Sequence, residues 1–449
     1  MFRLLDSGAP LPSLSPRIRW AGALLGAALL ATGPTLTGCS SGEGGGADKV
    51  TLTYRLWDDQ QKVGYEKVMA AFEKANPGID VTIELLPYDQ YWTKLTADVV
   101  AGTAPDVFWM TPTQFPEFVT KGVLSQVQVD PAKYHQTVVG SFTHEGKLYG
   151  VPKDWGIVGL LYNKDLFKQA GVEMPDKLTW TADGTGTLLD TARKLTVDEA
   201  GKHPGEPGFD PGKVKTYGFA SWNHYQTQWM NWVSSNGGKL VDKPFGKYVF
   251  NDPASVRALQ FGVDLVNKHH VSPPATQTNP PTGKVTDMFK AGQIAMFPAN
   301  NALLPFVAPE ATFEVGVALM PEGPSGRAVN LNGLAEAVYA KSEHPQEAMK
   351  LAAYLGTEEP QKIMADGGYA FPALSGLSQG YVDYWKSKKV DVSPFVEESE
   401  GTTFPLPITT GFTGFETKLN QIFNEMYLGK LSPQEAADQA VAAGNATLQ

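Results

Sequence analysis

The chain has 449 residues, a single cysteine, 42% hydrophobic and 19% charged residues, and a formal net charge of -10. That acidic balance argues against a nucleic-acid surface, which needs a basic patch. The length exceeds what one hydrophobic core usually serves, so two lobes or domains are expected.

The chain opens on an export leader. Arg17 and Arg19 precede an apolar run over residues 20–30, too short to span a bilayer as a mature helix and typical of a signal-peptide core. Leu36-Thr37-Gly38-Cys39 follows and resembles the lipobox of bacterial lipoproteins, so residues 1–38 are expected to be removed and Cys39 to carry lipid. A cysteine at the end of a signal sequence has no packed neighbours to bury it or tune its pKa, which argues against a core filler, a nucleophile or a disulfide partner. Residues 39–47, mostly Gly and Ser, read as a flexible tether, and the working domain starts near Asp48. No second cysteine exists to form an internal disulfide, so stability must come from core burial.

Leu52, Tyr54 and Leu56 alternate with polar residues, as do Ile79, Val81, Ile83 and Leu85, and both segments read as strands. Between them Val68, Ala71, Phe72 and Ala75 form the apolar face of a helix that stops at Asn76-Pro77-Gly78. A second helix is expected over residues 89–101, capped by Gly102, and a strand over 107–110. The sum is β-α-β-α-β, the unit of a mostly parallel sheet. Ligands of such sheets sit beyond the carboxyl ends of the strands, and two ends carry a tryptophan beside polar groups: Trp57-Asp58-Asp59 and Trp109-Met110-Thr111.

A strand at 157–162 leads into a short helix ending at Gly171, and the Gly, Pro and charge of 201–212 read as a surface insertion. A strand at 217–220 precedes a helix near 225–235. Asp252-Pro253 opens another helix with an N-cap and first-turn proline, and 272–283 reads as a loop. Strands are expected at 294–297, 313–319 and 335–339, and a helix at 345–355. Two helices finish the chain, one marked by Leu419, Ile422, Phe423 and Met426, the other opened by the capping box Ser432-Pro433-Gln434-Glu435.

Tyr149-Gly150-Val151-Pro152, Leu161-Tyr162-Asn163-Lys164-Asp165-Leu166-Phe167, Ala170-Gly171-Val172, Thr179-Trp180, Asn236-Gly237-Gly238, residues 289–296 and Pro321-Glu322-Gly323-Pro324 occur in a telling order. With Gly102-Thr103-Ala104-Pro105-Asp106-Val107 the set resembles the extracellular solute-binding proteins of sugar ABC importers, which include maltose-binding-like proteins, over nearly the whole mature chain. The resemblance implies an α/β, two-lobed periplasmic-binding-protein-like fold, each lobe a mostly parallel sheet flanked by helices. It places residues 48–155 and 330–372 in one lobe and 156–329 and 373–449 in the other. Three crossings are expected, near Asp154 to Gly156, Val329 to Leu331 and Tyr369 to Ala373. It also implies a monomer that closes on a carbohydrate, a disaccharide or oligosaccharide, alters no covalent bond in it, and delivers it to ABC permease subunits outside the cytoplasm without a cofactor.

A sugar offers hydroxyls around its ring and polarised C–H patches on its faces, so its site needs planar aromatics and fixed donors and acceptors. By position the candidates are Trp57, Asp58, Asp59, Trp109 and Thr111 at strand ends, and Asp154 and Trp155 at the first crossing. Trp222, Asn223, Trp229, Asn300 and Asn301 are added from the second lobe, with Asn332 and Tyr369 at the other crossings. Asp106 reads instead as a structural hydrogen-bonding group, and Trp180 and Trp232 as packing. A secreted glycoside hydrolase would also pair carboxylates with tryptophans, but nothing in the sequence sets two carboxylates at the required separation. A metal-capture role has little to build on, since His269-His270 lacks the i, i+4 spacing of a helical ligand pair. Glycerol phosphate or polyamine binding would favour cleft cations or several cleft acids, whereas Asn, Trp and Asp together suit a neutral sugar.

Overall fold

The computed structural model describes residues 49–175, 177–279 and 284–448; the expected leader, Cys39 and the expected tether lie outside them. The first five elements are strand β1 (Val50–Leu56), helix α1 (Asp59–Ala75), strand β2 (Ile79–Leu85), helix α2 (Tyr88–Ala101) and strand β3 (Val107–Met110). Strand β1 runs parallel to β2, from Val50 opposite Ile79 to Leu56 opposite Leu85, and parallel to β3. This is the expected β-α-β-α-β unit. Helix α1 buries Val68 and Phe72 against the sheet, and α2 ends where Gly102 adopts φ 76°, the left-handed cap that only glycine enters without strain.

Six more strands complete a nine-stranded sheet: β4 (Val151–Asn163), β5 (Met296–Asn300), β6 (Val315–Ala318), β7 (Ala328–Val338), β8 (Phe371–Pro372) and β9 (Thr402–Phe404). The path runs β6-β4-β7-β3-β1-β2, with β5 and β8 also on β4 and β9 on β7. Strand β4 changes partners along its length. Its first half pairs with β7 and β8, and from Val158 onward it pairs with β5 and β6. Strand β7 does the same, parallel to β9 at Ala328–Asn330 and antiparallel to β4 and β3 beyond. Residues 329–331, expected as a crossing, and most of the strand expected at 335–339 therefore lie on one continuous strand.

The mostly parallel sheets anticipated hold around β1; every neighbour of β4 is antiparallel to it. A parallel neighbour requires a crossover that brings the chain back to the same end, and β5, β6, β7 and β8 instead enter from the opposite end after long excursions. At 217–220 a single parallel bridge, Tyr217 with Ile294, and backbone bonds to Gln293 and Met296 replace the full strand anticipated. The helix anticipated at 225–235 starts as a π-helical turn, Tyr225–Trp229, before the α-helical Met230–Ser235. The loop at 272–283 contains a helical turn at Ala275–Thr278. Helices Thr187–Leu195, Glu358–Asp366, Ser378–Ser387 and Ser393–Glu400 were not anticipated. Among the described residues no helix is long and apolar enough to cross a membrane.

Trp180 stacks on Phe261 (4.6 Å, 22°) and Trp232 is 1% exposed, so both are packing residues. Asp106 accepts from the Thr53 N–H (2.8 Å) and the Ser342 hydroxyl. The two closing helices are Phe412–Tyr427 and Pro433–Asn445, and Ser432 and Glu435 form the reciprocal capping box. Ser432→Ala removes one of those bonds and is expected to lower stability by about 1 kcal/mol. A urea midpoint identical to that of the parent would show that the cap does not hold this end.

Candidate functional site

Beyond the ends of β1 and β3 lies a cluster of rings. Trp57, partly buried, meets Trp109 (4.9 Å, 87°), Tyr91 (4.9 Å, 84°) and Tyr88 (5.4 Å, 77°), with Trp92 at 5.8 Å. Edge-to-face packing sets the positive ring edge against a negative ring face, so each ring holds the next at a fixed angle. Tyr88 keeps 48% of its surface exposed and forms the outer rim. Trp109 was anticipated as a stacking platform, yet it is 0% exposed. Its indole N–H donates to Tyr54, and the Lys153 ammonium sits 3.9 Å from its ring centroid. It is the floor of the cluster and offers no open face.

Asp58 caps α1, accepting from the N–H groups of Gln60 (2.9 Å) and Gln61 (3.0 Å) and from the Gln61 side chain (3.2 Å). Burial raises its pKa, against the pull of those donors and of Lys153. Asp59 is exposed in the first helical turn, where a negative charge complements the helix dipole. Thr111 is buried against Thr113, with 3.2 Å between the hydroxyls.

Beneath the rings lies a polar network that was only half anticipated. Lys153 is 5% exposed, donates to Gln61 Oε1 (2.7 Å) and is ion-paired with Asp154. Asp154 Oδ1 accepts from the Leu334 N–H (3.1 Å), where the β4–β7 register shifts. Glu336, fully buried on β7, accepts from the hydroxyls of Tyr54 (2.9 Å) and Tyr65 (3.0 Å) through one oxygen, and its other oxygen has no partner among the described residues. Burial pushes its pKa up to about 7, with Lys153 opposing. A glutamate at the centre of Leu334-Ala335-Glu336-Ala337-Val338 was the readable signal: a charged residue inside a buried apolar strand needs a partner.

A second polar group gathers where β4 and β7 change partners. Gly156 stands opposite Asn332 in the register, and a Cβ on Gly156 would come within 2.8 Å of Asn300 Oδ1, so only glycine admits the asparagine there. Asn301 Oδ1 accepts from the Ile157 N–H (2.7 Å), Asn300 caps the turn at Ala302 (2.9 Å), and Asn332 Oδ1 is buried without a partner among the described residues. Trp155 stacks face to face on Phe371 (4.2 Å, 7°), which fastens β8 to β4. Tyr369 is partly buried, its ring packed against Gly64 and Gly367.

Three anticipated residues lie elsewhere. Trp229 is 0% exposed between Phe250 (5.3 Å) and Phe423 (4.9 Å), a core position. Asn223 is also fully buried and donates to the Asn420 carbonyl (3.1 Å) and Asn424 Oδ1 (2.8 Å), which makes it a helix-docking group. Trp222 is partly buried beside Phe297 (6.1 Å). Conversely, Tyr225 and Glu416 were not anticipated. The Tyr225 hydroxyl donates to the Glu416 carboxylate, Tyr88 lies within electrostatic reach of both, and burial raises the Glu416 pKa. Only the fold brings α2 to the first turn of Phe412–Tyr427.

Trp229→Ala is expected to cost about 3–5 kcal/mol of stability, the usual price of emptying a large aromatic site. Chemical denaturation checks this, and a loss under about 1 kcal/mol would contradict the core placement. For Glu336 the folded-state pKa, about 7, lies above the ordinary 4.5, so the folded chain holds this proton more tightly than the unfolded one. Its contribution is therefore most favourable below pH 4.5 and falls as pH rises towards 7. Glu336→Gln should flatten that part of the curve of melting temperature against pH; parallel curves for the two proteins would refute it.

The family described as bacterial extracellular solute-binding protein matches residues 58–362. The crystal structure of UspC from M. tuberculosis aligns with a TM-score of 0.75 at 35% identity, covering 89% of this chain and 100% of that one. The galactooligosaccharide-binding protein of Bacillus subtilis (strain 168) is 25% identical over 428 residues, 92% of each chain. The sn-glycerol-3-phosphate-binding periplasmic protein UgpB of Pectobacterium atrosepticum is 26% identical over 343 residues, 72% of each. The parallel unit at β1–β3, the partner-switching strands and the ringed strand ends thus stand in a known lineage: this chain belongs to the bacterial extracellular solute-binding protein family.

Proposed function

We propose that this chain captures a neutral carbohydrate, a disaccharide or oligosaccharide, between two lobes and hands it unchanged to an ABC permease. The lobes are residues 48–155 with 330–372, and 156–329 with 373–449. Strands β4, β7 and β8 form the three crossings, and a lipid on Cys39 holds the monomer at the cell membrane. The observation that carries this reading is the Trp57–Tyr88 rim beside Asp58. Flat rings with an exposed edge, next to a carboxylate whose geometry a helix end already holds, suit the apolar face and the hydroxyls of a sugar ring. Closure then draws on contacts made only when ligand bridges the lobes.

The charges support a neutral ligand and a binding role. A phosphate would need a cation, and Lys153 is buried, ion-paired and covered by Trp109. A glycosidase needs two carboxyl groups open to substrate about 5–9 Å apart. Here Asp58 is occupied as a helix cap, Asp154 with Lys153 and the Leu334 N–H, and Glu336 with two tyrosines. The galactooligosaccharide-binding relative points the same way.

A thermal-shift panel on the mature domain, with mono-, di- and trisaccharides beside sn-glycerol 3-phosphate, tests the reading. A sugar that binds is expected to raise the melting temperature, by about 2.7 kcal/mol of added stability at a hundredfold excess over Kd, and to be recovered intact. A response to the phosphate alone, or cleavage of the sugar, overturns the proposal. Trp57→Ala should weaken the bound sugar by about tenfold or more with the unliganded fold unchanged; equal affinity measured by calorimetry would remove Trp57 from the site.

A further inference from the structure

A cavity of about 430 Å³ lies between two segments far apart in the chain and shares no lining residue with the ring cluster or the polar network. One wall is the turn after Met230–Ser235, with Leu240 and Val241; the other is Phe404-Pro405-Leu406-Pro407-Ile408, which continues from β9. The sequence explains why the two stay apart. A proline offers no N–H, so Pro405 and Pro407 cannot donate to a ladder with the facing turn.

The walls are also fixed. The Asn330 side chain donates to the Phe404 carbonyl (3.1 Å), and the Phe245 N–H donates to the Ile408 carbonyl (2.6 Å). Phe245 has φ 57°, a conformation that a bulky residue keeps only when its surroundings impose it. Asp242 Oδ1 accepts from the Lys247 N–H (2.7 Å) and closes the same turn, so its carboxylate is engaged there.

The lining has two chemistries. Leu240, Leu406 and Ile408 are buried and Val241 and Phe404 partly buried, which gives an apolar slot. Lys239 and Lys243 also line it and are exposed, and neither has an ion-pair partner among the described residues. An apolar slot beside two unpaired ammonium groups is complementary to an apolar tail with an anionic head. The volume falls near the lower end of the range for small-ligand pockets, about 300–1,000 Å³, and so suits one short chain.

We propose that this cavity is a second ligand site, which takes a single-chain carboxylate amphiphile, a fatty acid of medium length. The chain lies along Leu240, Val241, Phe404 and Leu406, and the carboxylate sits between Lys239 and Lys243. The site is separate in its residues from the Trp57–Tyr88 rim and does not rest on the carbohydrate reading.

Calorimetry on the compact unit from Ala47 to Gln449 tests it with hexanoate, octanoate and decanoate, each below its micelle-forming concentration, and with 1-octanol and octyltrimethylammonium. One octanoate per chain is expected, with affinity rising about fourfold for each added methylene. The double variant Lys239→Gln, Lys243→Gln should weaken octanoate by about fivefold at low ionic strength and leave 1-octanol within about twofold. Thr402 is exposed and lines the cavity, so Thr402→Trp should weaken all three acids by narrowing it. The lysine variant alters only exposed side chains, and it decides the question even if Thr402→Trp fails to fold. No saturable binding of any acid, uptake of several octanoates per chain, octyltrimethylammonium bound as tightly as octanoate, or an unchanged octanoate affinity in the lysine variant would each overturn the proposal.

Discussion

An ammonium ion withdrawn from water must be given its counter-charges by the protein, and Lys153 sets that constraint here. Its stem leaves β4, its head lies over Trp109, and its bonds reach Gln61 on α1 and Asp154 beside it. Removing any one partner would leave charge buried without compensation, which costs far more than the intact network gains. The network therefore works less as a source of stability than as a demand that β1, α1, β4 and β7 sit in one arrangement. Asp58 inherits its position from this, because the Gln61 that receives the lysine also donates to Asp58.

The same economy governs the ring cluster above it. Trp109 is immobilised by its N–H on Tyr54 and by the cation on its face, Trp57 rests edge-on against it, and Tyr88 forms the exposed margin. Rigidity falls off outward from the buried floor to the rim. A surface built this way would lose little side-chain entropy on docking a ligand, since the rings are already packed against one another. The asparagines at Gly156 follow a different logic: they sit where two long strands exchange partners, and one of them, Asn332, keeps a buried oxygen without a partner among the described residues. Such an atom is rare unless something else satisfies it.

The pattern of the first half of the chain was legible because it is local. Alternation marked β1 and β2, a 3.6-residue period marked α1, and Asn76-Pro77-Gly78 and Gly102 marked where helices stop. The ordered motifs conveyed the family because they recur at turns and caps that the fold cannot vary freely. The site was legible in part. The rule that ligands gather at strand ends picked out Trp57 and Asp58, which the fold sets at the ring cluster, and Asp154, which lies in the polar network beneath it. That Trp109 and Trp229 are fully buried was not legible, because a tryptophan near a strand end or helix start reads the same whether its ring faces outward or inward.

By itself the sequence determined the alternation and capping that make each element, the acidic balance and the choice of family. Those are properties of neighbouring residues, and a short window of chain contains all the interactions that decide them. Only the tertiary structure decided that β4 serves two sets of strands, that Lys153 and Glu336 lie under the rings, and that Tyr225 and Glu416 come within reach of Tyr88. Those depend on contacts between segments far apart in the chain, where burial and charge compensation are set by the partner and no local pattern records who the partner is.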